Sequence, residues 1–180
     1  MTKYEVIYAD CPWTYDFAPT ESRSPEEHFE CMELENIKGY LIKEGIETED
    51  NSVLYLWATG PLLIEAIEVM KAWGFSYKTC AVWDKLEIGL GYWFRNQHEL
   101  LLVGTKGKFS PPSVSMLVSS VIRERRREFA RKPDAVRFLL GQWYPDKKKI
   151  ELFSRHHFMG WKVMGNEAPK DVQLKLEDIE

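Results

Sequence analysis

Cysteine, long apolar runs and excess positive charge are all scarce in this 180-residue sequence. The three cysteines, Cys11, Cys31 and Cys80, never form a C-x-x-C pair, which argues against a disulfide framework or a zinc ribbon and favours a reducing cytoplasm. The N-terminus lacks a basic segment followed by an apolar core, and no apolar run reaches bilayer-spanning length. The net charge of -4 argues against nonspecific coating of nucleic acid, which needs many cationic contacts with phosphates. We therefore expect a soluble cytoplasmic protein without a targeting or membrane segment.

The apolar content predicts one well-buried domain over residues 1–180. Apolar residues make up 44% of the chain and aromatic residues 13%. Short apolar segments alternate with helical patterns, which is typical of an α/β fold with helices on both faces of a sheet. The predicted strands are Glu5–Ala9, Ser52–Ala58, Lys78–Trp83, Glu99–Thr105, Lys149–Ser154 and Trp161–Gly165.

Three helices are predicted between these strands. Pro61 opens one helix and Gly74 ends it, with apolar residues at helical spacing between them. A second helix begins after Pro133 and ends before Pro145. A weaker pattern over Leu34, Ile37 and Leu41 is interrupted by Gly39.

Three segments carry too much proline, glycine, serine and charge for regular elements. They are Thr14–Glu27, Lys85–Asn96 and Lys106–Arg131, and all three are predicted to be loops. Long loops in a small α/β domain are often binding segments. Ligands of open α/β sheets bind beyond the carboxyl ends of the strands, where Asp10–Trp13 is expected to lie.

The segment "ADCPW" joins an acid, a rigid turn and a large ring at the end of the first predicted strand. The Asp10 carboxylate and the Cys11 carbonyl are two acceptors, Pro12 keeps residue 11 out of the helical region, and Trp13 is a flat stacking surface. Together they suit an amino group on an aromatic base. The structural alternative, in which Asp10 caps a turn and Trp13 fills the core, stays open from these four residues alone.

Five segments in order carry a resemblance to a known family. They are "VIYADCPWTY", "WFRNQHELLLVGTKG", "RKPD", "KIELFSR" and "GWKVMGNE". The chain resembles the N6-adenine methyltransferases related to the catalytic subunit of the messenger-RNA adenosine methyltransferase, the MT-A70 family. The resemblance implies a Rossmann-like S-adenosylmethionine-dependent methyltransferase fold with a mostly parallel sheet. It also implies methyl transfer from S-adenosylmethionine to the N6 amino group of adenine in nucleic acid.

The catalytic group implied by the resemblance is Asp10, Cys11, Pro12 and Trp13. The family usually has proline where Cys11 stands, and the acting group there is the main-chain carbonyl, so we expect the change to preserve the chemistry. The alternative, Cys11 as a thiol nucleophile, lacks an evident partner base in the sequence.

Cofactor-binding residues are also carried over from the family. Lys132 of "RKPD" is placed near the methionine carboxylate, and the structural alternative for it is solvated surface charge. The doubled histidine at 156–157 makes the alignment of His157 ambiguous by one position. The full expected set is Asp10, Lys132, Arg155, His157, Asn166 and Glu167.

Substrate contacts are expected from Trp13, Arg95, Glu99, Arg127 and Arg131. The last two belong to the basic segment "RERRREFARK", whose alternative role is a solvated charge run balanced by its glutamates. We expect the base to leave its stack for methylation. His28 and Cys31 have a metal-like spacing, but two ligands do not make a zinc site, so no metal is expected.

The resemblance favours a bacterial or bacteriophage enzyme, and therefore DNA over RNA as the nucleic acid partner. Relatives often pair, so a homodimer or a heterodimer with a related subunit is expected. Two other functions stay open: a noncatalytic partner subunit of the same fold, and a plain single-strand-binding domain. Noncatalytic subunits lose the acid or the ring of the motif, whereas Asp10, Pro12 and Trp13 are present here.

Overall fold

The computed structural model describes residues 2–14, 31–91, 93–127, 131–166 and 168. Strands and helices alternate along these residues. In chain order they are β1 (Lys3–Ala9), α1 (Leu34–Lys43), β2 (Glu47–Ala58), α2 (Leu63–Ala72), β3 (Ser76–Asp84), β4 (His98–Lys106), β5 (Val121–Arg123), α3 (Asp134–Trp143), β6 (Lys149–Leu152) and β7 (Lys162–Met164).

These strands form one seven-stranded sheet in the order β5-β3-β4-β2-β1-β6-β7. Strand β1 lies between β2 and β6 and is parallel to both, while β4 is antiparallel to its neighbours β2 and β3. The outer pairs β3–β5 and β6–β7 are parallel. All the strands except β4 therefore end at one edge of the sheet, and β4 begins there. The mostly parallel sheet of the sequence prediction is confirmed.

The helices cover both faces of the sheet, as predicted. Alternate residues of β1 point to opposite sides, so Ile7 and Ala9 join α1 and α2 in one core cluster. Val6 and Tyr8 join α3 in the other cluster. The buried strands β1 and β6 thus have no solvated face, which explains their nearly continuous apolar sequence.

The three predicted helices are confirmed. Pro61 lies in a short 3-10 turn that leads into α2, and Gly74 follows the helix with φ 85°, a conformation that favours glycine. Gly39 does not interrupt α1, because Ile37, Tyr40 and Leu41 bury one face of the helix in the core, which outweighs the cost of one glycine, about 1 kcal/mol.

One predicted loop is wrong in part. Lys106–Arg131 contains the strand β5, whose three residues pair with β3 from Val82 to Asp84. The two apolar residues of this strand, Val121 and Ile122, lie between serines and a run of charged residues, so no strand pattern is visible there, and pairing with β3 determines the conformation. The segment Lys85–Asn96 is confirmed as a connection, apart from Tyr92, which is not described. The predicted loop Thr14–Glu27 lies outside the described residues except for Thr14.

The described residues contain neither a membrane-spanning helix nor a cluster of metal-binding side chains. None of their helices combines the length and the apolar character that crossing a bilayer requires. Among the same residues, no three His, Cys, Asp or Glu side chains come together as a metal-binding group. His28 lies outside the described part of the chain.

Candidate active site

Four charged side chains form a chain of ion pairs at the carboxyl edge of the sheet. Asp10 follows β1, and its Oδ2 accepts a hydrogen bond from the Nζ of Lys132 at 2.7 Å. The same Nζ lies 3.4 Å from Oε2 of Glu99, near the start of β4. Glu99 Oε1 lies 2.8 Å from the Nζ of Lys85, which directly follows β3. The antiparallel direction of β4 makes this possible, because it brings the beginning of β4 to the edge where β1 and β3 end.

Burial and charge set the protonation of this cluster. Side-chain exposure is 30% for Asp10, 10% for Lys132 and 14% for Glu99. Burial raises the pKa of the Asp10 carboxyl above its ordinary value, against the opposing charge of Lys132. Burial acts to lower the pKa of Lys132, but Asp10 and Glu99 outweigh it and raise that pKa. Burial likewise acts to raise the pKa of Glu99, but Lys132 and Lys85 hold it below its ordinary value.

Tryptophan rings flank the two lysines. The Lys132 ammonium lies 5.9 Å from the centroid of the Trp57 ring, and Lys85 lies 5.6 Å from that of Trp83. Nε1 of Trp57 donates to the hydroxyl of Tyr8 at 2.7 Å, which fixes the indole orientation. Flanking rings of this kind stabilise a desolvated ammonium. Each of the two lysines therefore contacts a carboxylate through its ammonium group and has a tryptophan ring beside it.

The segment after Asp10 is anchored to the chain that precedes α1. The Cys11 carbonyl accepts a hydrogen bond from the Trp13 amide at 2.9 Å, and the Pro12 carbonyl accepts one from the Met32 amide at 2.8 Å. Trp13 is 7% exposed and belongs to the core cluster that includes α1 and α2. The Cys11 carbonyl retains a second lone pair for another donor.

The ends of β6 and β7 meet next to β1. Phe153 has φ 66°, unusual for a large side chain, and a Cβ at Gly165 would lie 2.7 Å from the Cα of Phe153. Glycine at 165 therefore permits the close approach of the two strand ends. A cavity of about 370 Å³ opens beside them, lined by Met32, Tyr40, Lys43, Glu44, Met164, Gly165, Asn166 and Ala168.

The other cofactor candidates lie at the surface near these strand ends. Arg155 and His157 are exposed, and Arg155 is close enough to act electrostatically on Asp10. The hydroxyl of Ser154 accepts from the His156 amide and donates to the His156 carbonyl, which orders the turn between them. Glu167 lies outside the described residues.

Two of the three arginines singled out as substrate contacts, Arg127 and Arg131, are already ion-paired. Arg127 lies 3.0 Å from Glu124 and 2.9 Å from Asp134, and Arg131 lies 2.8 Å from Asp134. Arg95 is exposed, and its Nε donates to the Gly89 carbonyl at 2.7 Å. The Arg127 side chain is 42% exposed, and an exposed ion pair contributes about 0–1 kcal/mol, so phosphate oxygens are able to replace its carboxylate partners. The Arg131–Asp134 pair is partly buried.

Comparisons with known proteins identify the family. The MT-A70 family model matches residues 4–167. The chain belongs to the MT-A70 family. Like other members it is an S-adenosylmethionine-dependent adenine-N6 methyltransferase, which confirms the function and the cofactor expected from the sequence.

Relatives of this MT-A70 protein differ in length. The type II methyltransferase M.MunI of a Mycoplasma species is 33% identical over 185 residues, covering 93% of this chain and 78% of that protein. The human N(6)-adenosine-methyltransferase catalytic subunit METTL3 is 26% identical over 178 residues, covering 93% of this chain and 28% of that protein. The MT-A70-like enzyme of Arabidopsis thaliana is 26% identical over 175 residues, covering 91% of this chain and 24% of that protein. The chain thus spans about a quarter of the plant and human relatives.

The residues at this edge fit S-adenosylmethionine. Its methionine part carries a carboxylate and an ammonium, and the Lys132 ammonium and the Asp10 carboxylate are matching partners. The cavity beside Asn166 has a volume in the range of small-molecule sites.

Sequence reasoning missed two parts of the site, Lys85 and Trp57. The available signal for Lys85 was its position two residues beyond the predicted strand Lys78–Trp83, at the edge where ligands bind. Trp57 had no such signal, because an aromatic residue inside an apolar strand is indistinguishable from ordinary core.

Cys11 provides a test of the acting group. Burial raises the pKa of its thiol well above the ordinary value, and the neighbouring Asp10 charge adds to this. A protonated thiol is a poor nucleophile. We expect Cys11→Pro and Cys11→Ala to keep at least about a tenth of the parent kcat, a loss of no more than about 1.4 kcal/mol in activation free energy. A folded Cys11→Ala protein without methyl transfer would instead support the thiol mechanism.

Lys132 provides a test of the electrostatics. Removing its charge in Lys132→Gln is expected to raise the pKa of Asp10 further, because an opposing cation is lost. If catalysis requires the ionised carboxylate, the acid limb of kcat moves to higher pH by about one unit. The measurement is kcat against pH at saturating cofactor, with the exposed-lysine variant Lys108→Gln as control. An unchanged acid limb would show that Asp10 does not act as a carboxylate.

Proposed function

We propose that this methyltransferase acts on adenine in DNA and that the Asp10 carboxylate holds the target amino group. The observation that carries the proposal is the position of Asp10. It follows β1 at the carboxyl edge of the sheet, beside β6, and it is one end of the chain of ion pairs that runs through Lys132 and Glu99 to Lys85. We further propose that residues 1–180 act as one methyltransferase domain.

The difficulty in the reaction lies in the amine. Its lone pair is delocalised into the purine ring, which makes the nitrogen a weak nucleophile. Hydrogen bonds accepted from both N–H groups draw the nitrogen towards a tetrahedral state with a more available lone pair. Asp10 supplies a charged acceptor, and the Cys11 carbonyl supplies the second through its free lone pair.

S-adenosylmethionine supplies an electrophilic methyl group when it is bound. The protein's part is to hold the amine in line and to stabilise the positive charge that develops on nitrogen. The Asp10 carboxylate does both, and its partial burial strengthens its electrostatic effect. Trp13 is proposed to pack beneath the base-holding turn, because a side chain that is 7% exposed in the core leaves no open face for the stacking on a base that the sequence suggested.

For cofactor binding we propose Asp10, Lys132, Arg155, His157, Asn166 and Glu167. Lys132 has a particular position among them, because its ammonium already contacts Asp10 and Glu99. A cofactor carboxylate competes with those two side chains for the same cation. Cofactor binding would therefore change the partners of Lys132 and make the Asp10 oxygen available to the amine.

The support for DNA comes from the comparison and from the surface. M.MunI is a type II methyltransferase, a DNA-modifying class. The net charge of -4 means that phosphate contacts must come from local groups, for which we propose Arg95, Arg127 and Arg131, with Glu99 on the adenine side. Dimerisation with a second copy or a related subunit would extend this surface.

The test is transfer of tritiated methyl groups to four substrates: single-stranded and duplex DNA, and single-stranded and duplex RNA. Nucleoside analysis then identifies the product. We expect N6-methyldeoxyadenosine from DNA at a rate well above that of any RNA product. Label confined to RNA would contradict the proposed substrate, and label on another nucleoside would contradict the proposed role of Asp10.

A further inference from the structure

We infer that Trp93 and Phe94 form an aromatic wedge that stacks on bases of the DNA substrate beside the target adenine. This inference rests on the proposed DNA substrate. Both residues lie on the β3–β4 loop, residues 85–97, and their exposures are 95% and 85%. Two neighbouring aromatic side chains so fully in solvent are unusual, because burial of such rings is strongly favourable.

The β3–β4 loop is held by its own hydrogen bonds. The Gly89 amide donates to the Asn96 carbonyl at 2.8 Å, and the Asn96 amide donates to the Leu90 carbonyl at 3.1 Å. At the base of the loop, Asp84 Oδ1 accepts from the Leu86 amide at 2.9 Å and from Gln97 Nε2 at 2.8 Å. The backbone residues that flank the two rings in the chain are therefore joined by hydrogen bonds, Gly89 and Leu90 on one side and Asn96 on the other.

Glycine makes this presentation possible. A Cβ at Gly91 would lie 2.0 Å from the Phe94 carbonyl oxygen, and a Cβ at Gly89 would lie 2.5 Å from the Asn96 carbonyl oxygen. Both contacts involve backbone atoms, so the loop would have to rearrange around any larger residue. The sequence "GLGYWF" thus combines two obligatory glycines with two exposed rings.

The position of the loop connects it with catalysis. Its first residue, Lys85, pairs with Glu99, which pairs with Lys132, the partner of Asp10. The loop leaves the sheet at the edge where the target adenine must approach Asp10. A base adjacent to the flipped adenine loses a stacking partner, and an aromatic ring is able to replace it.

Charge around the loop favours nucleic acid as the occupant. Glu87 of the loop lies 2.9 Å from Arg126 and 3.8 Å from Arg125, and both arginines are exposed. Exposed Arg95 directly follows the two rings. Rings on a loop bordered by arginines match a strand of stacked bases bordered by phosphates. A second copy of this chain is the competing occupant, because the loop also exposes Ile88 and Leu90.

The experiment measures DNA binding by fluorescence anisotropy over a range of salt concentrations. The probe is a fluorescein-labelled, adenine-containing oligonucleotide, single-stranded and duplex. The test variants are the double substitution Trp93→Ala with Phe94→Ala, the aromatic replacement Trp93→Tyr, and Gly91→Val, which keeps both rings but disturbs their presentation. Tyr77→Ala is the matched control, since Tyr77 is a half-exposed aromatic residue at the opposite end of β3.

We expect the double variant and Gly91→Val to weaken DNA binding by about 10- to 100-fold, with Trp93→Tyr and Tyr77→Ala close to the parent. The slope of log DNA affinity against log salt concentration should not change in the aromatic variants, because they remove no charge. Arg126→Gln should reduce the magnitude of that slope by about one. Calorimetry should give the same S-adenosylmethionine affinity for all of them.

Two results would overturn the inference. The first is DNA affinity of the double variant within about twofold of the parent, too small a loss for a stacked base. The second is a dimer that dissociates in the double variant during sedimentation while the DNA affinity per chain is unchanged, which would assign the loop to a second copy. A parent protein that binds DNA without methylating adenine would contradict the proposed function, and the binding data would still decide the role of the loop.

Discussion

Asp10→Asn is expected to lower kcat for methyl transfer by about a thousandfold, with little change in the affinity for DNA. The substitution preserves the size of the side chain and one acceptor oxygen, but it removes the negative charge that faces the developing positive nitrogen. The loss falls on kcat because the interaction is stronger in the transition state than in the bound substrate. Single-turnover transfer of tritiated methyl groups to DNA measures it.

Asp10→Asn also removes the ion pair between Asp10 and Lys132, so a control for folding is needed. In Asp10→Asn the Lys132 ammonium keeps Glu99 as its charged partner, and we expect the protein to remain folded. Thermal unfolding with and without S-adenosylmethionine checks both the fold and cofactor binding. The double variant Asp10→Asn with Lys132→Gln should be as inactive as the single variant. Turnover within about tenfold of the parent, about 1.4 kcal/mol, would contradict the role assigned to Asp10.

Arg137→Leu is expected to lower the free energy of unfolding by about 3–5 kcal/mol, because it leaves a buried carboxylate without its partner. Arg137 of α3 forms a two-pronged hydrogen-bonded ion pair with Glu151 of β6, and the two side chains are 10% and 5% exposed. The guanidinium also lies 5.8 Å from the Tyr8 ring centroid and 5.2 Å from that of Phe158. Urea unfolding at neutral pH measures the loss.

The pH dependence of this loss has a definite sign. Burial raises the pKa of Glu151 above its ordinary value in the folded protein, even with Arg137 in place. Between the unfolded and the folded pKa, the native state binds more protons, so this group's contribution to stability falls as pH rises. Without Arg137 the folded pKa rises further. The destabilisation by Arg137→Leu should therefore become smaller as the pH is lowered from neutral towards the ordinary glutamate range.

A paired substitution separates charge from packing. Arg137→Met combined with Glu151→Leu removes both charges and leaves apolar groups of similar size, which is often neutral for a buried pair. We expect this double variant to be more stable than Arg137→Leu alone. A decrease of less than about 1 kcal/mol in the free energy of unfolding of Arg137→Leu would contradict this account, because the Arg137–Glu151 pair would then contribute no more than an exposed ion pair.

The amino-acid sequence by itself determined where most regular elements lie. The apolar run before Asp10 and the apolar residues bounded by Pro61 and Gly74 are local signals, and β1 and α2 lie where they indicate. The order of the five family segments indicated the chemistry in the same way, since each segment is short and contiguous. Strand β5 escaped detection because its two apolar residues, Val121 and Ile122, lie between serines and a run of charged residues.

Only the tertiary structure decided how the charged residues meet. Lys132 and Asp10 are 122 positions apart in the chain, and Lys85 is linked to them through Glu99. That connection requires β4 to run against its neighbours, so that its first residues lie where β1 and β3 end. Strand direction and sheet order arise from packing over the whole domain, and no local sequence pattern encodes them. The physical reason is that hydrophobic periodicity specifies which face of an element is buried, but not which other element covers it.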